Sequence, residues 1–295
     1  MKRTRSPSLR HKSTKTPVRK SSEGVATQVR KSTATDQWVG ADTSTVVTQE
    51  LIALATVQLG TKPLFWGRYF KGPGDQNPVR YQAQLEGLIL NSNRIRVLPI
   101  AQQTNNVALD QSTGHRDGLR NGAAIISSFG QIYLSNLVDG ILVVLDVEGP
   151  PNPSLSVEYY KGWSNDLIVA GRTEMVEAGA SEGIRFLPAV YGPKGDDSTW
   201  QSLGHAVAEQ AQCAGVWIAR PGTIGCHSLR EWNDDWIRPK SLSNAIMPLL
   251  WQGVQECAGL DYSRLNPSDP GSILNRLILP PNGQETVDVL SSGLS

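Results

Sequence analysis

Asp146 and Glu148 stand two residues apart at the end of Ile141-Leu142-Val143-Val144-Leu145, an apolar run closed by Gly149-Pro150. A run of this composition reads as a strand of a parallel sheet covered on both faces. Side chains alternate along a strand, so the two acids share a face. At the C-terminal end of such a strand, where α/β folds gather their chemistry, a carboxylate pair suits general acid–base work. Two carboxylates in one site disfavour ionising both, so Glu148 is expected to have its pKa raised by Asp146 and to act as the acid. Glycoside hydrolysis is one reaction class that uses such a pair: one group protonates the departing oxygen, and a second stabilises an oxocarbenium-like transition state or activates water. Alternate strand residues have Cα atoms about 6.6 to 6.8 Å apart, an interval compatible with both the retaining and the inverting arrangement.

Other chemistries lack their residues. The histidines, His11, His115, His205 and His227, show no His-Glu-x-x-His spacing, and no metal site is expected. Cys213, Cys226 and Cys257 form no Cys-x-x-Cys pair and are odd in number, so they are expected to be buried thiols rather than a disulfide framework or zinc ligands. The sequence has no Gly-x-Ser-x-Gly elbow, phosphate-binding glycine loop or dinucleotide fingerprint, and no cofactor is expected.

Seven apolar runs alternate with segments of helical character from residue 36 onward. The strand candidates are Trp38 to Thr43, Pro63 to Phe70, Ile95 to Gln103, Ile141 to Glu148, Arg185 to Tyr191, Gly215 to Arg220 and Leu249 to Val254, with a possible eighth at Leu260 to Leu265. Helices are expected over Thr48 to Gly60, Pro78 to Asn91, Asp117 to Leu137, Ser154 to Gly179 and Ser198 to Cys213. Asn77-Pro78 and Pro153-Ser154 are candidate helix starts. The fold class is therefore α/β, a (β/α) TIM-like barrel irregular in its last strands, with an open doubly wound sheet as the alternative. The barrel is favoured because polar residues gather at the ends of several strands, as a ring of loops around one mouth requires.

Charge divides the chain. Of 28 Lys and Arg and 27 Asp and Glu, residues 1–35 hold ten bases and one acid; subtraction leaves 18 bases and 26 acids beyond them, a net charge of −8. The basic segment is rich in Ser and Thr and lacks aromatics, so it reads as a disordered tail that can hold a polyanion such as nucleic acid, a teichoic-type polymer or acidic lipid headgroups. Residues 36–295 form the barrel domain. The sequence shows neither the apolar stretch of a secretory signal nor a membrane span.

The strand ends carry Gly40 and Asp42, Arg68 and Tyr69, Gln102, Asp146 and Glu148, Tyr191 and Gly192, Trp217 to Ala219, Trp251 and Gln252, and Asp261 with Asn266. In this order and spacing, over roughly residues 37–267, the chain resembles the family 25 glycoside hydrolases, the Chalaropsis-type lysozymes. It is still more similar to the glycoside-hydrolase-like relatives described as domain of unknown function 1906, which Arg68-Tyr69 and Gly114-His115-Arg116-Asp117-Gly118 before a long helix bring to mind. It departs from the lysozymes in reading Trp251-Gln252-Gly253 where they read Trp-Gln-Tyr, and in separating Asp261 from Asn266 by five positions where they have Asp-x-Asn.

The resemblance implies a lysozyme-like glycosidase acting on peptidoglycan or a related amino-sugar polymer, with Glu148, Asp146, Asp42 and Asp261 catalytic. Asp42 or Asp146 would stabilise the transition state, orient an N-acetyl group or activate water, and Asp261 would position the pair. Tyr69, Tyr191, Trp217 and Trp251 could stack on sugars, and Arg68, Gln102 and Gln252 could bond their hydroxyl or acetamido groups. Equally, the aromatics could be barrel core, and Arg68 could form a buried ion pair with Asp42 or Asp146. Trp163, Trp200, Trp232 and Trp236 lie away from the strand ends and are assigned to packing or loop surfaces. The protein is expected to be a monomer. A cell-wall substrate implies delivery by lysis, specialised export or a phage particle; otherwise the chain is cytoplasmic. Two other functions fit the same residues: a non-catalytic glycan-binding module, and a scaffold recruited through its basic tail.

Overall fold

Eight strands close into one barrel in chain order, from β1 (Val39–Asp42) and β2 (Phe65–Phe70) through β3 (Arg96–Gln102), β4 (Ile141–Asp146), β5 (Phe186–Pro193), β6 (Gly215–Ala219) and β7 (Pro248–Cys257) to β8 (Leu260–Leu265). The computed structural model describes residues 38–77, 79–103, 105–178, 183–222 and 224–282; the basic segment 1–35 and Pro78 lie outside them. β1 to β7 are parallel neighbours, whereas β8 runs antiparallel to both β7 and β1. The irregularity expected in the last strands is this reversal. A tight connection through Ala258 and Gly259, both with positive φ, turns β7 straight into β8 and leaves no room for a helix.

Helices α1 (Gln49–Leu59), α2 (Ala83–Ser92), α3 (Gln111–Phe129), α4 (Gln131–Ser135), α5 (Val157–Ala178), α6 (Asp197–Ala208) and the single turn α7 (Asp234–Ile237) fall between the strands, and α8 (Pro270–Asn275) follows β8. Three starts differ from those expected. α2 begins at Ala83, where the Glu86 carboxylate reaches back to accept from the Gln82 N–H at 2.7 Å. α3 begins at Gln111, six residues before Asp117, because Asp110 caps it, accepting from the Thr113 N–H at 2.8 Å. Gly114 to Gly118 therefore lies inside the helix rather than before it. At the start of α5 it is Ser156, not Ser154, whose hydroxyl accepts from a first-turn amide, that of Tyr159.

Those glycines have a packing role. A Cβ at Gly114 or Gly118 would come within 2.2 or 2.4 Å of the Tyr159 or Trp163 backbone oxygen of α5, so the two long helices approach backbone to backbone. Asn121 locks this contact to the sheet, donating to the Phe70 oxygen at 3.0 Å and accepting from Trp163 Nε1 at 3.0 Å.

Alternation along each strand makes two apolar layers. Trp66, Phe70, Val97, Val143, Leu145, Val190, Ile218 and Trp251 face the helices, and Phe65, Leu98, Ile100, Leu142, Val144 and Ala189 fill the barrel. α8 and the segment after it pack against the N-terminal mouth, where the Leu142 N–H bonds the Arg276 oxygen and Val97 and Ile278 exchange backbone bonds. That end is plugged, so an opening can exist only at the C-terminal mouth. No helix of the described residues is long and apolar enough to cross a membrane.

The cysteine expectation is corrected here. Cys226 and Cys257 form a disulfide, and Cys213 is a partly buried thiol. β7 runs beyond Val254 to Cys257, and its Gln255 bridges to Ile224, which brings the loop after β6 alongside. The pairing joins residues 31 apart and becomes visible only once the strand register is known.

Candidate active site

The open mouth narrows to a cleft of about 60 Å³ lined by Asp42, Tyr69, Ile100, Asp146, Glu148, Tyr191, Trp217, Gln255 and Asp261. Asp42 and Asp146 are the last residues of β1 and β4, and Glu148 follows two residues later at the exposed rim. Asp261 is the second residue of β8, yet it reaches the same mouth because β8 runs the other way. The same reversal sends Asn266 to the far end, where its Nδ2 donates to the Pro248 oxygen at 2.8 Å. The Asp261 and Asn266 of the sequence pattern are thus at opposite ends of the barrel.

The cleft is rich in carboxylates, and the deepest two, Asp42 and Asp146, are buried. Asp42 is 5% exposed, and its Oδ2 has no hydrogen-bond partner. Burial, then the charges of Asp261, Asp146 and Glu148, hold its pKa well above the usual carboxylate range, with Arg68 opposing weakly. Asp261 is also raised, first by burial. Hydrogen bonds to its charged form oppose the rise, from the Glu256 N–H at 2.7 Å and Gln252 Nε2 at 2.8 Å. The acids pushed up by burial are therefore Asp42 and Asp261.

Two phenols and an indole wall the acids. Burial and the surrounding carboxylates push the Tyr69 and Tyr191 hydroxyls far above their ordinary range, so both remain neutral donors. Tyr191 and Trp217 pack edge to face with centroids 4.9 Å apart, and Trp217 Nε1 donates to Ser263 Oγ at 3.1 Å, which fixes the indole.

Seven of the eleven residues singled out from sequence line the cleft: Asp42, Tyr69, Asp146, Glu148, Tyr191, Trp217 and Asp261. Gln102 pairs with Asp146 across β3 and β4, and its Oε1 accepts from Arg80. Gln252 holds Asp261. The other two side chains belong to the outer layer. Trp251 is fully buried there, edge-on to Trp236 at 5.2 Å, with Nε1 donating to the Arg220 oxygen.

Arg68 faces outward because it alternates with Gly67 and Tyr69. Its ion-pair partner is neither Asp42 nor Asp146 but Glu86, at 2.7 Å and with both side chains fully buried. It also donates to the Thr43 and Arg80 oxygens, while Glu86 accepts from the Val47 N–H. This node ties the loop after β1 to β2 and α2, holding the backbone beside Asp42. Glu86, Ile100 and Gln255 were missed from sequence. Glu86 fell in the middle of the helix expected from Pro78, so its first-turn place shows only with the start at Ala83, and the place of Gln255 depends on the β7 extension.

A larger cavity of about 480 Å³ adjoins the cleft through the shared Tyr69 and continues between α2 and α3 past Lys71, Asp75, Arg80, Gln84 and Ser128. Among the described residues no group of three or more His, Cys, Asp or Glu is arranged to hold a metal ion.

No family model and no curated protein matches the chain. Among solved structures, it is similar to an uncharacterized protein of B. stearothermophilus whose crystal structure was determined at 1.07 Å, with a TM-score of 0.54 and 15% identity over 81% of this chain and 99% of that one. At that identity the likeness concerns the fold alone.

Proposed function

We propose that this closed α/β barrel is a modified (β/α) TIM-like barrel of the family 25-like type, and that it hydrolyses peptidoglycan or a related amino-sugar polymer. The observation that carries the reading is the convergence of four carboxylates, from β1, from β4 and the loop after it, and from β8, in one aromatic-walled cleft. Stability alone gives no reason to collect them, because each desolvated acid makes the next harder to ionise.

In the proposed mechanism a sugar ring stacks against Trp217 and Tyr191 with its scissile bond over the Asp146–Glu148 pair. Glu148, at the exposed rim, reaches the leaving oxygen and protonates it. Asp146, deeper in the cleft, supports the positive charge developing at the anomeric carbon or activates water. Burial favours the protonated form of Asp42, and in that form it donates a hydrogen bond to a carbonyl-type oxygen such as that of an acetamido group. The groove beyond Tyr69 gives a polymer room to continue past the cleft.

A non-catalytic glycan-binding module is the competing reading, favoured by the narrowness of the cleft itself. Co-sedimentation with purified peptidoglycan addresses the shared part. Wild type and Glu148→Gln should pellet equally, and Tyr191→Ala should bind at least tenfold more weakly. Binding indifferent to Tyr191→Ala would remove the cleft from both readings.

A further inference from the structure

A cluster of cations stands at the C-terminal ends of β5 and β6, the barrel end that holds the cleft, and is unused by the chemistry above. β5 ends at Pro193 and β6 at Ala219, and each is followed by a base, Lys194 and Arg220. The Arg220 guanidinium lies 3.9 Å from the ring centroid of Trp236, and that of Arg230 lies 5.7 Å from the same ring. Lys194 Nζ donates to the Trp236 backbone oxygen. Two guanidiniums thus face one half-buried indole, and a lysine bonds the backbone of the same residue. Burial, then the charges of Arg220 and Lys240, hold the Lys194 pKa below its ordinary value.

Glu231, Asp234 and Asp235 lie on the same stretch of chain. Yet among the described residues no carboxylate makes an ion pair with Lys194, Arg220, Arg230 or Lys240, and neither guanidinium donates a side-chain hydrogen bond. Stacking on Trp236 fixes the Arg220 plane and leaves its N–H edge available for two parallel bonds to an oxyanion. The repulsion stored among the four bases is relieved when an anion arrives.

The location relates this cluster to the cleft. In a closed ring of eight, β6 is four strands from β2, so the cluster and the groove beyond Tyr69 stand across the mouth from one another. Arg220 follows the cleft residue Trp217 by three positions, about 10 Å along the strand at about 3.3 Å per residue. A linear polymer crossing the mouth would run from the groove, through the cleft, to the bases.

We propose that Arg220, Arg230 and Trp236, with Lys194 and Lys240 beside them, form a subsite for an anionic substituent, carboxylate or phosphate, on the glycan chain whose backbone occupies the cleft. This rests on the glycan reading and narrows it to acidic polysaccharides.

The test is equilibrium binding by the full-length Glu148→Gln protein, in which turnover is removed, at one fixed salt concentration. The probes are a neutral chitin oligosaccharide, an oligogalacturonate and a phosphomannan fragment. Adding Arg220→Gln and Arg230→Gln together should weaken at least one anionic probe tenfold or more and leave the neutral probe unchanged; which probe responds distinguishes carboxylate from phosphate. The basic tail is present in both proteins, so its contribution cancels. Arg230→Gln alone, at an exposed position, gives the same direction of change should the double variant fold poorly. Unchanged affinity for both anionic probes in a folded variant overturns the subsite. Because binding is read without catalysis, that result leaves the hydrolase reading standing, and an inactive enzyme leaves the subsite standing.

Discussion

Asp42 on β1 lies directly opposite Asp261 on β8 in the antiparallel register of these two strands. Like charges facing each other across a strand pair are destabilising, and burial raises the pKa of both. In the unfolded chain Asp42 titrates near about 3.9. Between there and its raised folded value the native state holds a proton that the unfolded state has lost, so stability falls as pH rises through that interval and levels off above it. Asp42→Asn removes the effect. Scanning calorimetry should find its Tm a few degrees above wild type at pH 7, at about 2 to 4 °C per kcal/mol for a domain of this size, with the gap closing toward pH 4. A gap independent of pH would show that Asp42 does not titrate differently on folding.

Gly67 makes the space Asp42 occupies. A Cβ there would sit 2.7 Å from Asp42 Cβ and 2.9 Å from Ile100 Cδ1, inside the packed barrel. Gly67→Ala should therefore destabilise by about 1 to 3 kcal/mol in chemical denaturation and weaken glycan binding by displacing Asp42. Full stability with unaltered binding would place the strand farther from Asp42 than described.

The Arg68–Glu86 pair predicts a different pattern. Removing one partner strands a buried charge, so Arg68→Met should cost about 3 to 5 kcal/mol, and Glu86→Gln should also destabilise. The double variant Arg68→Met with Glu86→Leu should recover much of that loss, and a double-mutant cycle measures the coupling. Additive losses would mean that the two side chains do not depend on one another.

The Cys226–Cys257 disulfide clamps the loop after β6 to the end of β7, one residue beyond Glu256, whose N–H holds Asp261. Closing a loop of 31 residues stabilises by about 3 to 4 kcal/mol on chain-entropy grounds. Cys226→Ser with Cys257→Ser should lower the denaturation midpoint and loosen the Asp261 side of the cleft. Wild type treated with a dithiol should behave as this variant does, whereas a variant of unchanged midpoint would argue against the clamp.

Much of this was legible in the sequence, for reasons that differ by element. The apolar run before Asp146 reads as a doubly covered strand and is one, but β4 ends at Asp146, so Glu148 reaches the same mouth from the following loop rather than by strand alternation. The helix expected over Thr48 to Gly60 is α1, and the structure adds that Thr48 caps its start and that Gly60 ends it in the left-handed region. Arg68 and Trp251 misled because a strand end offers two faces, and the pattern around them is apolar on both. The direction of β8 is fixed by a turn at Ala258 and Gly259 that resembles many others, so the Cys226–Cys257 bond and the separation of Asp261 from Asn266 were hidden with it.

Reducing-end release from purified peptidoglycan, by wild type and by Glu148→Gln, tests the central claim most directly. The proposed mechanism predicts steady release by wild type and a loss of at least a hundredfold in the variant, with bound protein unchanged. Equal rates from the two proteins, or binding by both with no release from either, would contradict a hydrolase that uses Glu148 as its acid.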